Sequence, residues 1–262
     1  MDLGLSGKLA VITGASRGIG RAVAEVMAEE GCRLILTATN EKLLSELAAD
    51  LAARFGTDAR IFAADLADNA RQAALVALAG DEIDILVNNA GSVPGGGITQ
   101  IDEQTWRKAW DLKVFGYLNL MRSVYPVMVK KGAGVIVNVI GDAGNNPVID
   151  YIAGSAGNAA LIAANKALGL ASFKRGVRVV AVNPAATETD RIVGIWKARA
   201  EREFGDADRW RDYYKEHPWG RPALPREVAE TVAYVASERA SYISGTGITM
   251  GTTTAYRDTE FD

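Results

Sequence analysis

Glycines cluster where they could bind the phosphates of a dinucleotide. The first apolar run ends in the motif TGASRGIG at 13–20, and a helical pattern follows directly. Glycine permits a tight turn and close approach of the main chain to a pyrophosphate, while free N–H groups and the helix dipole attract the anion. A plain strand-to-helix loop is the alternative, but this position in the chain favours nucleotide binding. The expected cofactor contacts here are Gly14, Ser16, Arg17, Gly18, Ile19 and Gly20.

Two further polar segments follow buried runs and are expected at the same edge of a sheet. Asp65 and Leu66 come after the third run, where they could bind an adenine ring, and Asn89, Ala90 and Gly91 end the fourth. Ligands of open parallel sheets bind at the carboxyl ends of the strands. We therefore add these five residues to the cofactor site.

The end of the second apolar run indicates which dinucleotide is bound. An NAD enzyme of this architecture carries an acid there to bind the ribose hydroxyls, whereas this chain has Thr39 and Asn40, with no acid before Glu41. Arg17 can pair with a 2′-phosphate, to which Thr39 and Asn40 can hydrogen-bond. NADP(H) is therefore favoured over NAD(H). The alternative is that Arg17 is a solvated surface charge and Glu41 binds an NAD ribose.

The elements that must position these residues alternate along the chain. Short runs rich in Val, Ile and Leu predict buried strands at 9–15, 33–39, 59–66, 83–91, 134–141, 177–185 and 243–250. Helical patterns lie between most of them, at 21–30, 41–55, 104–129, 151–173 and 225–236. This alternation predicts an α/β fold, a three-layer doubly wound parallel sheet (Rossmann fold) in a single domain covering 1–262. The aromatic-rich, charged stretch 191–222 is a helical insert and a candidate substrate lid.

Composition excludes several classes of function. The chain has 262 residues with 29 Lys and Arg against 32 Asp and Glu, a net charge of −3, and no basic block that would bind nucleic acid or an anionic membrane. One cysteine, Cys32, and one histidine, His217, provide no cluster for a metal site. No apolar run approaches the ~20 residues of a membrane helix. We expect a small-molecule substrate, no metal, no nucleic-acid or membrane partner, and a cytoplasmic location.

The motifs TGxxxGxG and NNAG together resemble the short-chain dehydrogenase/reductase family. The resemblance extends through Asp65, Asn183-Pro184, the segment 187–190 and the segment 242–245, and the segment 220–229 is similar to β-ketoacyl carrier protein reductases. It implies the Rossmann fold and adds Pro184, Thr187 and Thr189 to the cofactor site. It also implies a homo-oligomer, a dimer or tetramer, in which the fourth and fifth helices pair across a two-fold axis.

The catalytic positions of that family are all substituted in this chain. In the family a Tyr donates the proton, a Lys four residues later lowers its pKa, a Ser thirteen residues earlier polarises the carbonyl, and an Asn lies on the preceding helix. The matching flanks place Gly154, Asn158, Gly141 and Lys113 at these four positions. Loss of the Ser and Tyr side chains predicts an enlarged active site, unless other side chains or water fill it.

Three polar residues remain on the helix that carries the vacated tyrosine position. Tyr151, Ser155 and Asn158 stand at i, i+4 and i+7 and share a face. Tyr151 could reach into the space left by Gly154, and Lys113 could replace the lost cation or donate a proton itself. A tyrosine at a helix start is more often a packing residue, so relocation is a hypothesis. Our candidate catalytic residues are Lys113, Tyr151 and Asn158.

These observations leave three hypotheses for function. The first is an NADP(H)-dependent oxidoreductase that transfers hydride to or from a carbonyl or alcohol substrate through a rebuilt proton donor. The second is a dinucleotide-binding protein without redox activity, such as a partner subunit, sensor or scaffold. The third, a lyase or isomerase that uses Lys113 as its base, depends on the lysine alone.

Overall fold

The computed structural model describes residues 2–251, which form one sheet with helices on both faces. The strands, β1 to β7, are Leu9–Thr13, Arg33–Ala38, Ala59–Ala63, Ile83–Asn88, Gly134–Val139, Val177–Pro184 and Gly247–Met250. The helices, α1 to α8, are Gly18–Glu29, Glu41–Phe55, Asn69–Ala79, Glu103–Trp110, Gly116–Lys131, Ile152–Ser172, Asp190–Phe204 and Pro225–Ala236. All strands are parallel, in the order β3-β2-β1-β4-β5-β6-β7.

Both faces of the sheet are buried, as the apolar runs predict. In β1, Ala10 and Ile12 face the core formed with α1, α2 and α8, whereas Leu9 and Val11 face the core formed with α3, α5 and α6. Successive side chains of a strand point to opposite faces, so a strand covered on both sides must be apolar throughout. The doubly wound parallel fold is confirmed. No helix within 2–251 is long and apolar enough to cross a membrane.

Three details differ from the sequence prediction. The helix predicted over 104–129 is divided by one turn of π-helix, Asp111–Phe115, between α4 and α5. Helix α3 follows Asp68, which caps it, and is missing from the predicted helices because alanine dominates its apolar residues. The last strand begins at Gly247 rather than at 243, because Gly245 has a left-handed backbone (φ +68°) that ends any extended run before it.

The insert predicted over 191–222 is helical, and most of its aromatic side chains pack on one another. It consists of α7 and a 3₁₀ segment, Ala207–Glu216. The rings of Trp196 and Trp210 stack at a centroid distance of 6.3 Å, and Tyr213 is buried beside them. These rings hold the insert together. Trp219 differs, because 91% of its surface is exposed.

A buried arginine in β6 caps the C-terminal end of α8. Arg178 in β6 donates hydrogen bonds to the carbonyl oxygens of Val235 (2.7 Å), Ala236 (3.2 Å) and Ser237 (2.8 Å). The last carbonyls of a helix have no partner within the helix, so one guanidinium satisfies three acceptors that would otherwise be buried unpaired.

Replacing this arginine should therefore destabilise the fold. We expect Arg178→Met to lower the free energy of unfolding by about 2–4 kcal/mol, since charged hydrogen bonds are lost and carbonyls stay buried. The exposed Arg175 provides a matched control, whose replacement by Met should change stability by less than about 0.5 kcal/mol. Chemical denaturation of both variants tests this, and equal stabilities would refute the capping role.

Candidate active site

The glycine motif forms a loop that has no room for a side chain at Gly14 or Gly20. Gly14 has a left-handed backbone (φ +66°), and a Cβ there would lie 2.9 Å from the Cα of Ala90. A Cβ on Gly20 would collide with the carbonyl of Gly14 and would lie 2.5 Å from Asn89 Nδ2. The loop therefore packs directly against the end of β4, as a close main-chain approach to a pyrophosphate requires.

Thr13 joins this loop to the segment that follows β4. Its hydroxyl accepts hydrogen bonds from the main-chain N–H groups of Asn89 (2.8 Å) and Ala90 (2.9 Å). Asn89 Nδ2 in turn donates to the Thr13 carbonyl at 3.0 Å. The structure thus brings together the predicted residues Gly14, Asn89 and Ala90. Thr13 is absent from the predicted site, although it opens the motif in the sequence.

The start of α7 closes over the same loop. A Cβ on Gly18 would lie 3.2 Å from Cγ2 of Thr189, whose hydroxyl caps α7 by accepting from Ile192 N at 3.5 Å. Pro184, the last residue of β6, and Thr187, three residues after it, are buried. Of these three predicted residues, Thr189 therefore contacts the glycine loop directly.

The end of β2 carries no acid, as the sequence indicates. Thr39 and Asn40 are exposed, and Asn40 Oδ1 caps α2 by accepting from Leu43 N at 3.0 Å. Glu41 lies inside the first turn of α2, and Arg17 is exposed at the residue before α1. This arrangement accommodates a phosphate on the adenosine ribose without a nearby carboxylate at the strand end.

The predicted adenine contacts separate into one exposed residue and one core residue. Asp65 is exposed, and its Oδ1 accepts from Ala67 N at 2.9 Å. Leu66 is only 3% exposed and packs in the core, with its carbonyl accepting from Gln72 Nε2 at 2.6 Å. Leu66 can therefore reach a ligand only through its main-chain N–H, and its side chain belongs to the core.

The enlargement of the active site is expected only if no other side chain fills the vacated positions, and side chains do fill the space beside both of them. A Cβ on Gly154 would overlap the far end of the Tyr151 ring, and a Cβ on Gly141 would lie 2.9 Å from Asn158 Nδ2. The tyrosine one turn earlier and the amide opposite the loop have filled the space, since close packing disfavours voids. The far end of the Tyr151 ring therefore occupies the space where a side chain on Gly154 would begin.

Asn158 presents an unused acceptor to this site. The residue is 3% exposed, and Nδ2 makes only a long contact of 3.5 Å with the Gly141 carbonyl. Its Oδ1 is buried and accepts no hydrogen bond from the described residues. A buried polar atom without a partner is costly, so a hydroxyl of a bound molecule would stabilise it.

Lys113 is buried beside Tyr117 at the end of β5. It lies on the π-helical turn, is 8% exposed, and donates to the Val139 carbonyl (2.9 Å) and the Tyr117 hydroxyl (3.0 Å). Tyr117 donates to the same carbonyl at 3.0 Å. Sequence reasoning missed Tyr117, although its i+4 spacing from Lys113 was the available signal.

Burial changes the proton affinities of this pair. Desolvation, and then the positive charge of Arg191, lower the pKa of Lys113 to about 7. Burial raises the pKa of Tyr117 well above its ordinary value of 10.0, and Tyr151 adds to this shift. Lys113 therefore exchanges its proton near neutral pH, whereas Tyr117 keeps its own.

The segment 91–93, which follows β4, contacts Lys113, Tyr151 and Arg191. A Cβ on Gly91 would lie 2.5 Å from Cδ of Lys113, so glycine makes room for the lysine stem. Val93 packs in a buried cluster with Tyr151, and its carbonyl accepts from Arg191 Nη2 at 2.5 Å. Tyr151, Lys113 and Arg191 thus surround a short segment that directly follows Asn89 and Ala90, the residues in contact with the glycine loop. No metal-binding group of His, Cys, Asp or Glu occurs in the described part of the chain.

A family model described as short chain dehydrogenase matches residues 8–200. The chain belongs to the short-chain dehydrogenase family. Its curated relatives include 3-oxoacyl-(acyl-carrier-protein) reductase FabG of Vibrio cholerae, 33% identical over 249 residues, which cover 93% of this chain and 95% of the relative. Another is 2,3-dihydro-2,3-dihydroxybenzoate dehydrogenase of Bacillus subtilis, 31% identical over 92% of this chain and 93% of the relative.

Solved structures confirm the same architecture. L-Sorbose reductase from Gluconobacter frateurii, complexed with NADPH and L-sorbose, is 32% identical with a TM-score of 0.91, covering 98% of this chain and 100% of that chain. Actinorhodin polyketide ketoreductase with NADPH is 28% identical with a TM-score of 0.89, covering 95% of this chain and 98% of that chain. In this chain, positions 113, 141, 154 and 158 of the short-chain dehydrogenase fold carry Lys, Gly, Gly and Asn.

Removing the buried charge should stabilise the protein. We expect Lys113→Met to raise the free energy of unfolding by about 1–3 kcal/mol, because a charge buried without a carboxylate is replaced by an apolar chain of similar length.

The stabilisation should depend on pH. The folded-state pKa of Lys113, about 7, lies below the ordinary value of 10.5, so between these values the unfolded chain binds more protons and wild-type stability rises with pH. The advantage of the Met variant should therefore be greatest below pH ~7 and shrink toward pH ~10. Thermal unfolding at several pH values measures this, and a destabilised, pH-independent variant would contradict it.

Proposed function

We propose that this short-chain dehydrogenase is an NADPH-dependent carbonyl reductase in which Tyr151 and Lys113 perform the proton transfer. The observation that carries the proposal is the overlap of the Tyr151 ring with the position of a side chain on Gly154, where the family's acid is expected. The Lys113–Tyr117 pair at the end of β5 supplies a cation close to it. The proposal is supported by relatives and structural neighbours whose names describe reductases and NADPH complexes.

The residues present fit a nicotinamide dinucleotide. The glycine loop would hold the pyrophosphate, Arg17 with Thr39 and Asn40 the 2′-phosphate, and the unused Asn158 Oδ1 a ribose hydroxyl. NADPH supplies, when bound, the hydride that reaches the carbonyl carbon. The chain's task is to position the substrate and to provide the proton.

The proton moves from Tyr151 to the substrate oxygen. As the carbonyl carbon gains the hydride, the C=O π electrons become the oxygen lone pair that takes the Tyr151 hydroxyl proton, which gives the alcohol and a phenolate. Lys113 then restores that proton from its ammonium group and is reprotonated by solvent. Val139 and Tyr117 fix the amine by the two hydrogen bonds described above.

Removal of the phenol should abolish most of the turnover. We expect Tyr151→Phe to lower kcat for reduction by about 100-fold or more, the usual contribution of general acid catalysis, and to leave the Kd for NADPH within about twofold. Tyr234→Phe, an exposed tyrosine on α8, is the control and should keep wild-type activity. A panel of ketones and aldehydes with NADPH provides the assay, and full activity of Tyr151→Phe would refute the role of Tyr151.

The pH dependence of kcat should report Lys113. The amine is protonated below a pKa of about 7, so reduction should be fastest there and fall as the pH rises through that value. Lys113→Met should lower kcat and remove this fall from the profile, whereas Lys166→Met, at an exposed residue of α6, should retain it. A profile that is unchanged in Lys113→Met would exclude Lys113 as the proton source.

Cofactor choice can be tested at the end of β2. Thr39→Asp should introduce the acid that NAD enzymes carry there, weaken NADPH binding by about tenfold or more through repulsion of the 2′-phosphate, and strengthen NADH binding. Arg17→Gln should weaken NADPH alone, while Arg54→Gln at the far end of α2 is the control. Titrations with NADPH and NADH measure the two dissociation constants. Tenfold tighter binding of NADH than of NADPH by the wild-type chain would contradict the proposed preference for NADPH.

Substitution of all four family positions favours a second candidate, a dinucleotide-binding protein without redox activity. Tight NADPH binding without turnover of any ketone, aldehyde or alcohol would support it. The lyase or isomerase hypothesis would require turnover that depends on Lys113 but not on NADPH. We also propose a homo-oligomer, for which the exposed side chains of Phe115, Leu170 and Phe173 on or beside α5 and α6 provide apolar contact surface.

A further inference from the structure

The candidate site carries two positive charges that no carboxylate neutralises. Lys113 is buried and bonded only to the neutral oxygens of Tyr117 and Val139. Arg191 reaches across from α7 to the Val93 carbonyl. Neither residue takes part in any of the ion pairs within 2–251. Most other arginines of α7, α8 and the insert have a carboxylate partner, as Arg199, Arg209, Arg221 and Arg226 do.

Both cations contact the segment 91–93, of which Val93 packs in one cluster with the proposed proton donor Tyr151. The lysine stem packs against Gly91, and Arg191 is anchored to Val93, which packs in the same cluster as Tyr151. The charge of Arg191 also lies near enough to Lys113 to oppose its protonation. Arg191 is exposed to solvent whereas Lys113 is buried, so an anionic group bound at Arg191 would offset the repulsion that this arginine exerts on the protonated amine.

The two acids next to these residues in the sequence do not provide that negative charge. Asp190 and Asp150 are exposed next to Arg191 and Tyr151, and neither forms an ion pair with Arg191 or Lys113. The missing charge is therefore most simply supplied by a molecule that enters the site.

We propose that the substrate is a carbonyl compound bearing an anionic group, and that Arg191 binds this group while Tyr151 protonates the carbonyl oxygen. This inference rests on the proposed reductase function and names its substrate class. A guanidinium has five N–H donors in a planar fork, of which Val93 uses one, so donors remain for a bidentate contact with a carboxylate or phosphate. The start of α7 adds the positive end of its helix dipole.

Matched pairs of substrates test the proposal. One pair is 3-oxobutanoate and its ethyl ester, and the other is dihydroxyacetone phosphate and dihydroxyacetone, which separate carboxylate from phosphate recognition. Wild-type enzyme should show a higher kcat/KM for the anion of at least one pair. Arg191→Met should raise KM for that anion by about 10- to 100-fold, the value of charged hydrogen bonds, and should raise KM for the neutral partner far less. Arg191→Lys should restore part of the loss for the anion.

A control variant and a binding assay distinguish failure of the anion site from failure of the reductase activity. Arg202→Met, an exposed residue on the same helix, should leave both pairs unchanged. Calorimetric titration of 3-oxobutanoate and of dihydroxyacetone phosphate into the enzyme with NADP⁺ measures anion binding without turnover. Binding by wild type that Arg191→Met abolishes would support the anion site even if no ketone were reduced. Reduction of the neutral partners at equal or higher efficiency, unaltered by Arg191→Met, would overturn it and leave the reductase proposal intact.

Discussion

The two hydrogen bonds that Thr13 accepts from Asn89 and Ala90 fix how the two halves of the candidate site meet. A hydroxyl oxygen has two lone pairs, and here both are used by main-chain donors of the segment after β4. One end of that segment packs on the glycine loop. The other end, at Gly91 and Val93, contacts Lys113, Tyr151 and Arg191. Any displacement of this junction would move the cofactor loop and the proton donors together.

Burial of the Lys113 amine destabilises the folded chain and lowers the pKa of the amine to a value suited to the proposed proton transfer. Its hydrogen bonds to neutral oxygens do not offset the loss of water around a charge, which is why its pKa falls to about 7. An acid with that pKa is half protonated at neutral pH, the condition under which general acid catalysis is most efficient. The π-helical turn between α4 and α5 carries the lysine at this point, and such turns in other proteins often occur at functional sites.

Sequence periodicity was sufficient for the fold and for the cofactor loop, because both depend on local patterns: buried runs, helical spacing and glycines at a strand end. The relation between Tyr151 and Gly154 was also accessible, since the residues are three apart on one helix start. The bond between Arg191 and Val93 was not, because the two residues are 98 positions apart and only the folded chain brings them together. The filling of the vacated space was equally hidden, as it depends on side-chain packing.

The proposed mechanism keeps a phenol and an amine near the end of β5 but takes them from Tyr151 and Lys113, which lie on different elements. In the family one helix carries both groups, with the lysine four residues after the tyrosine. Here the phenol stays on the start of α6, and the amine comes from the turn before α5, where it bonds the last carbonyl of β5. Both elements converge on the same strand end, so the exchange needs no change of fold. On the proposed assignments, this exchange moves the hydroxyl to the base of its former space and, with Arg191, gives the site a positive charge that would favour an anionic substrate.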